Sequence, residues 1–341
     1  MSDDTVPRAT LIPSWSERYL GGSEAREADL LRAYAAQIQR VQRRNRRGDE
    51  QIRRGFHAKL LAGIATARFV VAENVRPELR VGLILPGASY PAMVRYSSAS
   101  GVAASRSIKD LRGIAIRVQT GGERGDRVQD FLLSDTPTSH ARDARQFMAA
   151  ADAMAGGRRL TALPGLIGKL GPWEGVRVLR ALRHASAQLI DSVATVPFFS
   201  RAPFAIGPYA VKFKLQPVAP PAERVGRLGH DELRRDLIER LRREAVRYEL
   251  QVQHYVDDRT TPIEDGTVEW PEPGRPETLA ELVIPRQDLA SAEGQEGERL
   301  VEALEFSPWR TDGTIRPIGG LNRARKPVYE ASARLRSGGS A

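Results

Sequence analysis

Residues 90–118, YPAMVRYSSASGVAASRSIKDLRGIAIRV, contain two short apolar runs that are each typical of a β-strand. The runs are Tyr90–Tyr96 and Gly113–Val118, and the segment between them is rich in serine and glycine. In a strand, side chains two positions apart lie on the same face, so Arg95 and Ser97 point the same way. If that face is buried, the guanidinium needs an anion and the hydroxyl can orient a histidine.

Similar patterns extend outward on both sides of this stretch. Strand-like runs occur at Ala67–Val71, Leu79–Leu85, Ala210–Leu215 and Tyr248–Tyr255. Helical periodicity predicts helices over about Glu24–Gln51, 141–155, 157–192 and Asp231–Val246, with Pro164 and Gly171-Pro172 as breaks in the third segment. Residues 256–310 are turn-rich, and a last helix is predicted to begin near Arg325 with Pro327 in its first turn. The sequence therefore predicts an α+β protein with a mainly antiparallel sheet.

The composition of the 341-residue chain excludes several classes of protein. With 41% hydrophobic and 28% charged residues, it is close to the globular average. The absence of cysteine excludes disulfides, thiolate metal sites, iron–sulfur clusters and cysteine nucleophiles. No run of about 18 apolar residues is free of charge, and the start of the chain lacks an apolar signal segment. We therefore expect no membrane span and a cytoplasmic location.

The net charge of +10 raises the question of a nucleic-acid partner. Arginine and glutamate alternate through much of the chain, which does not favour nucleic-acid binding. The alternative is that the basic segment Arg40–Arg54 binds nucleic acid, with a steep dependence on salt.

His57 is the most suggestive of the five histidines. It lies in Arg54-Gly55-Phe56-His57-Ala58-Lys59, flanked by apolar residues just before the first predicted strand. Such a residue can act as a base, although many histidines in this context are partly buried structural residues. No nucleophile elbow and no phosphate-binding loop are present, so the common hydrolase and nucleotide-binding classes are not supported.

Arg325 precedes Tyr329 by one turn of the last predicted helix. A neighbouring cation favours the phenolate form of tyrosine, and a phenolate is an anionic ligand for ferric iron. The alternative is a surface packing pair.

These segments occur in a fixed order along the chain: His57–Lys59, Tyr90–Ser97, Asp110–Ala115, Thr136–Pro137, Arg142–Asp143, Phe147, Val252–Gln253, Pro262–Asp265, Trp270–Glu272 and Arg325 with Tyr329. Together they resemble the haem catalase superfamily over roughly residues 50–336, and in particular its short, single-barrel, catalase-related peroxidases. The resemblance implies an antiparallel β-barrel of the catalase type with surrounding helices and no C-terminal flavodoxin-like domain.

The resemblance also implies roles for individual residues around a haem b with ferric iron. His57 would be the distal base, and Ser97 would form the hydrogen bond that fixes its imidazole. Tyr329 would be the proximal iron ligand, with its phenolate held by Arg325. The remaining predicted cofactor contacts are Arg54, Arg95 and Arg336, at the propionates or the proximal side, and Phe147, near the distal face.

The chain departs from the family at the distal asparagine. Large catalases carry Asn-Asn-Thr-Pro where this sequence has Ser134-Asp135-Thr136-Pro137. Ser134 or Asp135 would then form the hydrogen bond to peroxide, less effectively or differently. Two aromatic residues of the distal channel are replaced by Ser139 and His140.

The resemblance and this departure together predict a haem peroxidase. It would reduce hydrogen peroxide or organic hydroperoxides through a ferryl intermediate, using a small-molecule electron donor, with weak or no catalase activity. One alternative is a fatty-acid hydroperoxide isomerase or dehydratase similar to allene oxide synthases. Another is a haem-binding protein without turnover.

We predict two parts of the chain: an N-terminal arm and basic helix over 1–50, and a catalase-like haem-binding barrel domain with a C-terminal proximal helix over 51–341. Because family members often exchange N-terminal arms, we expect a homodimer or a higher homo-oligomer with residues 1–50 at the interface.

Overall fold

The computed structural model of the protein describes residues 14–46, 48, 51–99, 110–121, 127–155, 162–187, 189–219 and 230–338. The first 13 residues of the predicted arm lie outside the described residues.

Eight of the described strands form a closed antiparallel barrel. Its strands are β1 (Lys59–Val71), β2 (Ser89–Ser98), β3 (Arg112–Gly121), β4 (Arg127–Ser134), β5 (Phe198–Phe199), β7 (Tyr209–Pro217), β8 (Val246–His254) and β9 (Glu277–Ile284). They pair in the order β1-β2-β3-β4-β5-β7-β8-β9, and β9 pairs back with β1. Two short strands, β6 (Phe204–Ile206) and β10 (Ile315–Pro317), extend the sheet beyond β7. Closure of the sheet leaves the eight strands without a free edge.

Aromatic side chains fill the barrel interior. The ring of Phe131 stacks on Phe69 at 5.6 Å between centroids and meets Phe213 edge-on at 5.4 Å. The hydroxyl of Tyr96 donates to that of Tyr248 at 3.0 Å, so these buried phenols are not left unsatisfied. The interior is therefore a packed core.

Seven helices are described outside the barrel: α1 (Glu24–Asn45), α2 (Ala144–Ala153), α3 (Ala162–Leu170), α4 (Pro172–Ala185), α5 (His230–Arg243), α6 (Ala292–Ala303) and α7 (Gly320–Arg336). Helices α5 and α6 pack against β1, and α2, α3 and α4 pack together. None of the described helices is long and apolar enough to cross a lipid bilayer.

Helix α1 packs directly on α7. Ile38 and Val41 of α1 share an apolar cluster with Val328 and Ala331 of α7. The described part of the predicted N-terminal segment is thus packed against the C-terminal helix. The division of the chain at residue 50 stays a prediction.

The predicted fold class is confirmed, but three local predictions are wrong. Residues 79–85 form turns rather than a strand, because Leu79, Leu83 and Ile84 reach the core from a loop that begins with Pro77. The turn-rich region 256–310 contains β9 and α6. Helix α7 begins at Gly320, five residues earlier than predicted, so Pro327 lies in its interior.

Candidate functional site

A cavity of about 1010 Å³ lies between the barrel wall and helices α1, α2, α4 and α7. This volume is at the upper end of the range of ligand pockets, about 300–1,000 Å³. Nine of the ten predicted site residues line it: Arg54, His57, Arg95, Ser97, Ser134, Phe147, Arg325, Tyr329 and Arg336. Asp135 does not. The fold therefore brings together residues from both ends of the sequence.

The segment that carries His57 is held between α1 and α7. The backbone N–H of Gly55 donates to Ser332 Oγ at 3.0 Å, and a Cβ on Gly55 would lie 2.7 Å from Ile38. This close approach requires glycine at position 55. The segment is thereby fixed to the helix that also carries Tyr329.

His57 has a left-handed backbone conformation, with φ of 48°. Such a conformation is unusual outside glycine and is found more often at functional sites. Burial lowers the pKa of His57 to about 3, with further contributions from the positive charges of Arg201 and Arg95. The imidazole is therefore neutral at pH 7, and its buried Nδ1 has no hydrogen-bond partner in the described chain. A neutral imidazole with a free nitrogen can accept a proton.

The predicted hydrogen bond between Ser97 and His57 is not formed in this structure. Ser97 Oγ donates to the carbonyl oxygen of Gly113 at 3.3 Å, because these two residues are register partners on β2 and β3. The imidazole packs on the same glycine: a Cβ on Gly113 would lie 2.6 Å from His57 Nδ1 and 3.2 Å from Ser97 Oγ. Gly113 thus sets the position of the ring.

Ser134 is the last residue of β4 and Asp135 follows it, and the two residues differ in their surroundings. Ser134 lines the cavity, and its Oγ donates to the carbonyl oxygen of Arg112 at 3.1 Å. Asp135 is buried, and burial raises its pKa to about 6 against the lowering effect of its hydrogen bond with Arg112. Its Oδ1 has no hydrogen-bond partner within the described residues. Ser134 is therefore the better placed of the two to contact a ligand.

Near the C-terminal end of the described chain, Arg325 and Tyr329 form a pair on α7. Arg325 Nη2 donates to the phenol oxygen of Tyr329 at 3.4 Å, and its guanidinium lies 5.4 Å from the ring centroid. Asn322 fixes the arginine by accepting from its Nη1 at 3.1 Å. This is the predicted guanidinium–phenol arrangement, inside the cavity and not on the surface.

The three predicted propionate arginines converge on the end of α6. Arg95 Nε donates to Glu302 Oε2 at 2.6 Å. Arg54 Nη2 donates to the carbonyl oxygens of Glu302 and Leu304 at 2.6 and 2.8 Å. Arg336 reaches the same two carbonyls at 3.2 and 3.4 Å. Burial and the neighbouring Arg95 lower the pKa of Arg54 to about 9. The cluster is held together by Glu302, which the sequence did not indicate.

Phe147 belongs to a row of rings along the cavity wall. It meets Phe56 edge-on at 5.1 Å and stacks on His140 at 5.0 Å. The ring of Phe56 in turn lies 6.2 Å from that of Tyr329. Burial lowers the pKa of His140 to about 3, so this ring too is neutral.

Arg201 was missed by the sequence reasoning, although one signal was present. It is the single charged residue in the apolar stretch Val193–Ile206. It lines the cavity with a left-handed φ of 58°, and its buried Nη1 lacks a hydrogen-bond partner in the described chain.

The barrel, the helices around it and the placement of the cavity define a catalase fold. Among solved structures, the chain is similar to catalase A from Saccharomyces cerevisiae, with a TM-score of 0.64, 13% identity, and coverage of 95% of this chain and 68% of that one. A bacterial catalase (0.60, 16%, 95% and 64%) and a fungal catalase (0.59, 16%, 96% and 66%) are also similar. The chain thus spans about two thirds of their length. The described residues contain no flavodoxin-like domain. No protein-family model and no curated protein matches the sequence.

The cavity residues fit a haem group. The large cavity has a neutral imidazole and a guanidinium-paired phenol in its wall. The buried His57 Nδ1 lacks a hydrogen-bond partner within the described chain, as expected where a bound molecule belongs. The fit to haem rests on the size of the cavity, the neutral imidazole of His57 and the phenol of Tyr329 paired with Arg325.

Proposed function

We propose that this chain is a haem-dependent peroxidase that reduces hydrogen peroxide or organic hydroperoxides, with weak or no catalase activity. The observation that carries the proposal is that His57 and the Arg325–Tyr329 pair line the same cavity. In the net reaction, ROOH takes two electrons and two protons from a small-molecule donor and gives ROH and water.

Tyr329 would hold the iron of haem b through its phenolate oxygen, with Arg325 stabilising the negative charge. Of the three clustered arginines, Arg336 has the longest hydrogen bonds to protein carbonyls, at 3.2 and 3.4 Å. It would therefore turn most readily to a propionate. When bound, the ferric group supplies the redox equivalents for cleavage of the O–O bond.

His57 would move the proton in this reaction. Its neutral imidazole accepts the proton of the peroxide and returns it to the oxygen that leaves. Because burial and the neighbouring arginine charges lower the pKa of His57 to about 3, the imidazole is unprotonated at pH 7. Gly113 and the hydrogen bond from Arg95 to the His57 carbonyl keep the ring in place.

The distal wall favours slow turnover on a bulky peroxide. An asparagine is absent at position 134, and the hydroxyl of Ser134 already donates to a protein carbonyl. Many cavity-wall residues are alanine, leucine, methionine and phenylalanine, which suit an organic hydroperoxide. An isomerase or dehydratase acting on such a hydroperoxide is the second candidate, and it would need no electron donor.

The first experiment is a hemin titration followed by absorption spectroscopy, with the native chain, Tyr329→Phe and the control Tyr209→Phe. We expect a high-spin ferric spectrum with phenolate charge-transfer features in the native chain and in the control, and a changed spectrum in Tyr329→Phe. No saturable hemin binding would contradict the proposal.

Turnover then separates the candidate functions. A peroxidase consumes peroxide only with a reducing donor, whereas an isomerase rearranges it without one. If His57→Ala leaves peroxide consumption unchanged, the chain is a haem-binding protein without catalysis by this base. Oligomeric state, cytoplasmic location and the absence of a nucleic-acid partner stay predictions.

A further inference from the structure

Arg201 is a cavity-lining cation whose Nη1 is buried and unpartnered within the described residues. Burial and the nearby charge of Arg325 lower its pKa to about 10, so it is still charged at pH 7. Its backbone has a φ of 58°. An isolated buried charge is costly unless an anion compensates it. A site that keeps such a charge is therefore suited to an anionic ligand.

The other buried cations of the cavity wall already have partners. Arg95 pairs with Glu302, and Arg54 and Arg336 donate to carbonyl oxygens at the end of α6. Arg325 donates to Asn322 and Tyr329. Arg54 also has a buried Nε without a hydrogen-bond partner, but its Nη2 donates to two carbonyl oxygens. Arg201 differs from all four because its side chain forms no hydrogen bond or ion pair with the described residues.

Asp135 is a candidate for an internal partner of Arg201, and it does not fill that role. Its charge raises the pKa of Arg201, so the two groups are close enough to interact. However, no hydrogen bond or ion pair joins the two side chains: Asp135 Oδ1 and Arg201 Nη1 are both without a hydrogen-bond partner in the described chain.

The cavity that Arg201 lines has many apolar residues in its wall, among them Leu132, Leu179, Phe199 and Phe306. A guanidinium presents a planar fork of N–H donors that matches a carboxylate. One such group in a large apolar cavity selects a molecule with one anionic end and an apolar body.

We propose that Arg201 binds the carboxylate of an amphipathic organic acid, so that the preferred substrate is a hydroperoxide that carries its own carboxylate. The choice of a hydroperoxide rests on the proposed peroxidase function, whereas binding of the carboxylate does not. Arg201 acts on the electrostatics of His57 and His140 and also interacts with Arg325 and Tyr329, so its charge lies within reach of both the proposed base and the proposed iron ligand.

The test measures binding of decanoate and of methyl decanoate by calorimetry, with the full chain before and after hemin loading. The variants are Arg201→Gln, Arg201→Lys and, as a control, Arg183→Gln, which removes an exposed arginine from the same cavity wall. Arg201→Gln should bind decanoate about tenfold or more weakly, because a charged hydrogen bond is lost, while binding of the ester is unchanged. Arg201→Lys should restore part of the affinity, and the control should bind as the native chain does.

Equal decanoate affinity in Arg201→Gln and the native chain would overturn the proposal. So would a loss of hemin affinity in Arg201→Gln with decanoate binding intact, because Arg201 would then serve a propionate. If Arg201→Gln does not fold, Arg201→Lys must still bind decanoate more weakly than the native chain.

A turnover assay distinguishes this proposal from the peroxidase function. With a carboxylate-bearing hydroperoxide, Arg201→Gln should raise KM about tenfold with little change in kcat, and with the methyl ester it should change neither. If no hydroperoxide is turned over while decanoate binding still depends on Arg201, the peroxidase function fails and the carboxylate site stands.

Discussion

Arg95 connects its strand to the backbone of His57: its Nη1 donates to the His57 carbonyl oxygen at 2.9 Å. The same guanidinium donates to Glu302 through Nε at 2.6 Å and Nη2 at 3.3 Å. The side chain of Arg95 is only 3% exposed, whereas that of Glu302 is 38% exposed, so the guanidinium is shielded from water and its carboxylate partner is partly solvated. This buried group stabilises the left-handed conformation of a residue that we place in catalysis.

The first prediction concerns this link. Arg95→Met should reduce the free energy of unfolding by about 2–3 kcal/mol, because Glu302 and the His57 carbonyl lose a buried partner. Chemical denaturation measures the change. The control is Arg247→Met, which breaks an ion pair with Glu281 whose side chains are 53% and 31% exposed. It should cost less than about 1 kcal/mol. Equal effects in the two variants would show that Arg95 has no special role.

The second prediction concerns Gly113. Gly113→Ala places a methyl group 2.6 Å from His57 Nδ1, so the imidazole must move. We expect peroxide consumption by the hemin-loaded protein to fall about tenfold or more, because a small displacement of a catalytic group is costly. Gly168→Ala is the control, since a Cβ there meets no atom within 4 Å. Native activity in Gly113→Ala would be incompatible with a fixed position of the base.

The third prediction concerns the pH dependence that arises from Asp135. Its pKa is raised from 3.8 to about 6, so the folded state binds its proton more tightly than the unfolded state does. The stability that this group contributes is therefore lost as pH rises from about 4 to about 6. Asp135→Asn should be more stable than the native chain at pH 7, by on the order of 2 kcal/mol, and no more stable at pH 4. Thermal unfolding at the two pH values provides the comparison, and a pH-independent difference would contradict the assignment.

The fourth prediction has the opposite sign and concerns His57. Its pKa is lowered from 6.5 to about 3, so the unfolded state takes up the proton first as pH falls. The native chain should lose stability between about pH 6.5 and 3, and His57→Gln should lose less over the same interval. Activity of the native protein should show no inflection near pH 6.5. An inflection there that is absent in His57→Gln would mean that the imidazole titrates normally.

The residues alone predicted an α+β protein with an antiparallel sheet, and the catalase-type barrel was predicted from the resemblance that the ordered short motifs carry. The local errors have physical causes. The apolar residues of 79–85 are buried in the core although they lie in a segment without a strand. Their apolar character was read as a strand because a sequence pattern does not distinguish the two cases. Strand β9 and helix α6 lie among glycines and prolines that dominate the sequence signal. Pro327 suggested the start of a helix, although it lies in the middle of α7.

The candidate site was predicted less completely than the fold. His57 and Tyr329 stand in short local patterns, and the structure places both in the cavity wall. Glu302 is one of several glutamates on and near a polar helix, so only the folded chain reveals that it accepts from Arg95. Arg201 stands out because its buried Nη1 has no hydrogen-bond partner in the described chain. The absence of a contact can be seen only in the folded structure and not in the sequence.

The packing of α1 on α7 has a consequence for the order in which the cavity is assembled. The barrel strands run from Lys59 to Ile284, whereas two of the helices that line the cavity, α1 and α7, lie outside that range, one before it and one after it. Contacts between segments so distant along the chain form late in folding. We therefore expect the barrel to form first, with the cavity still open on the side that α1 and α7 later cover. The group that fills the cavity would then enter before these two helices pack.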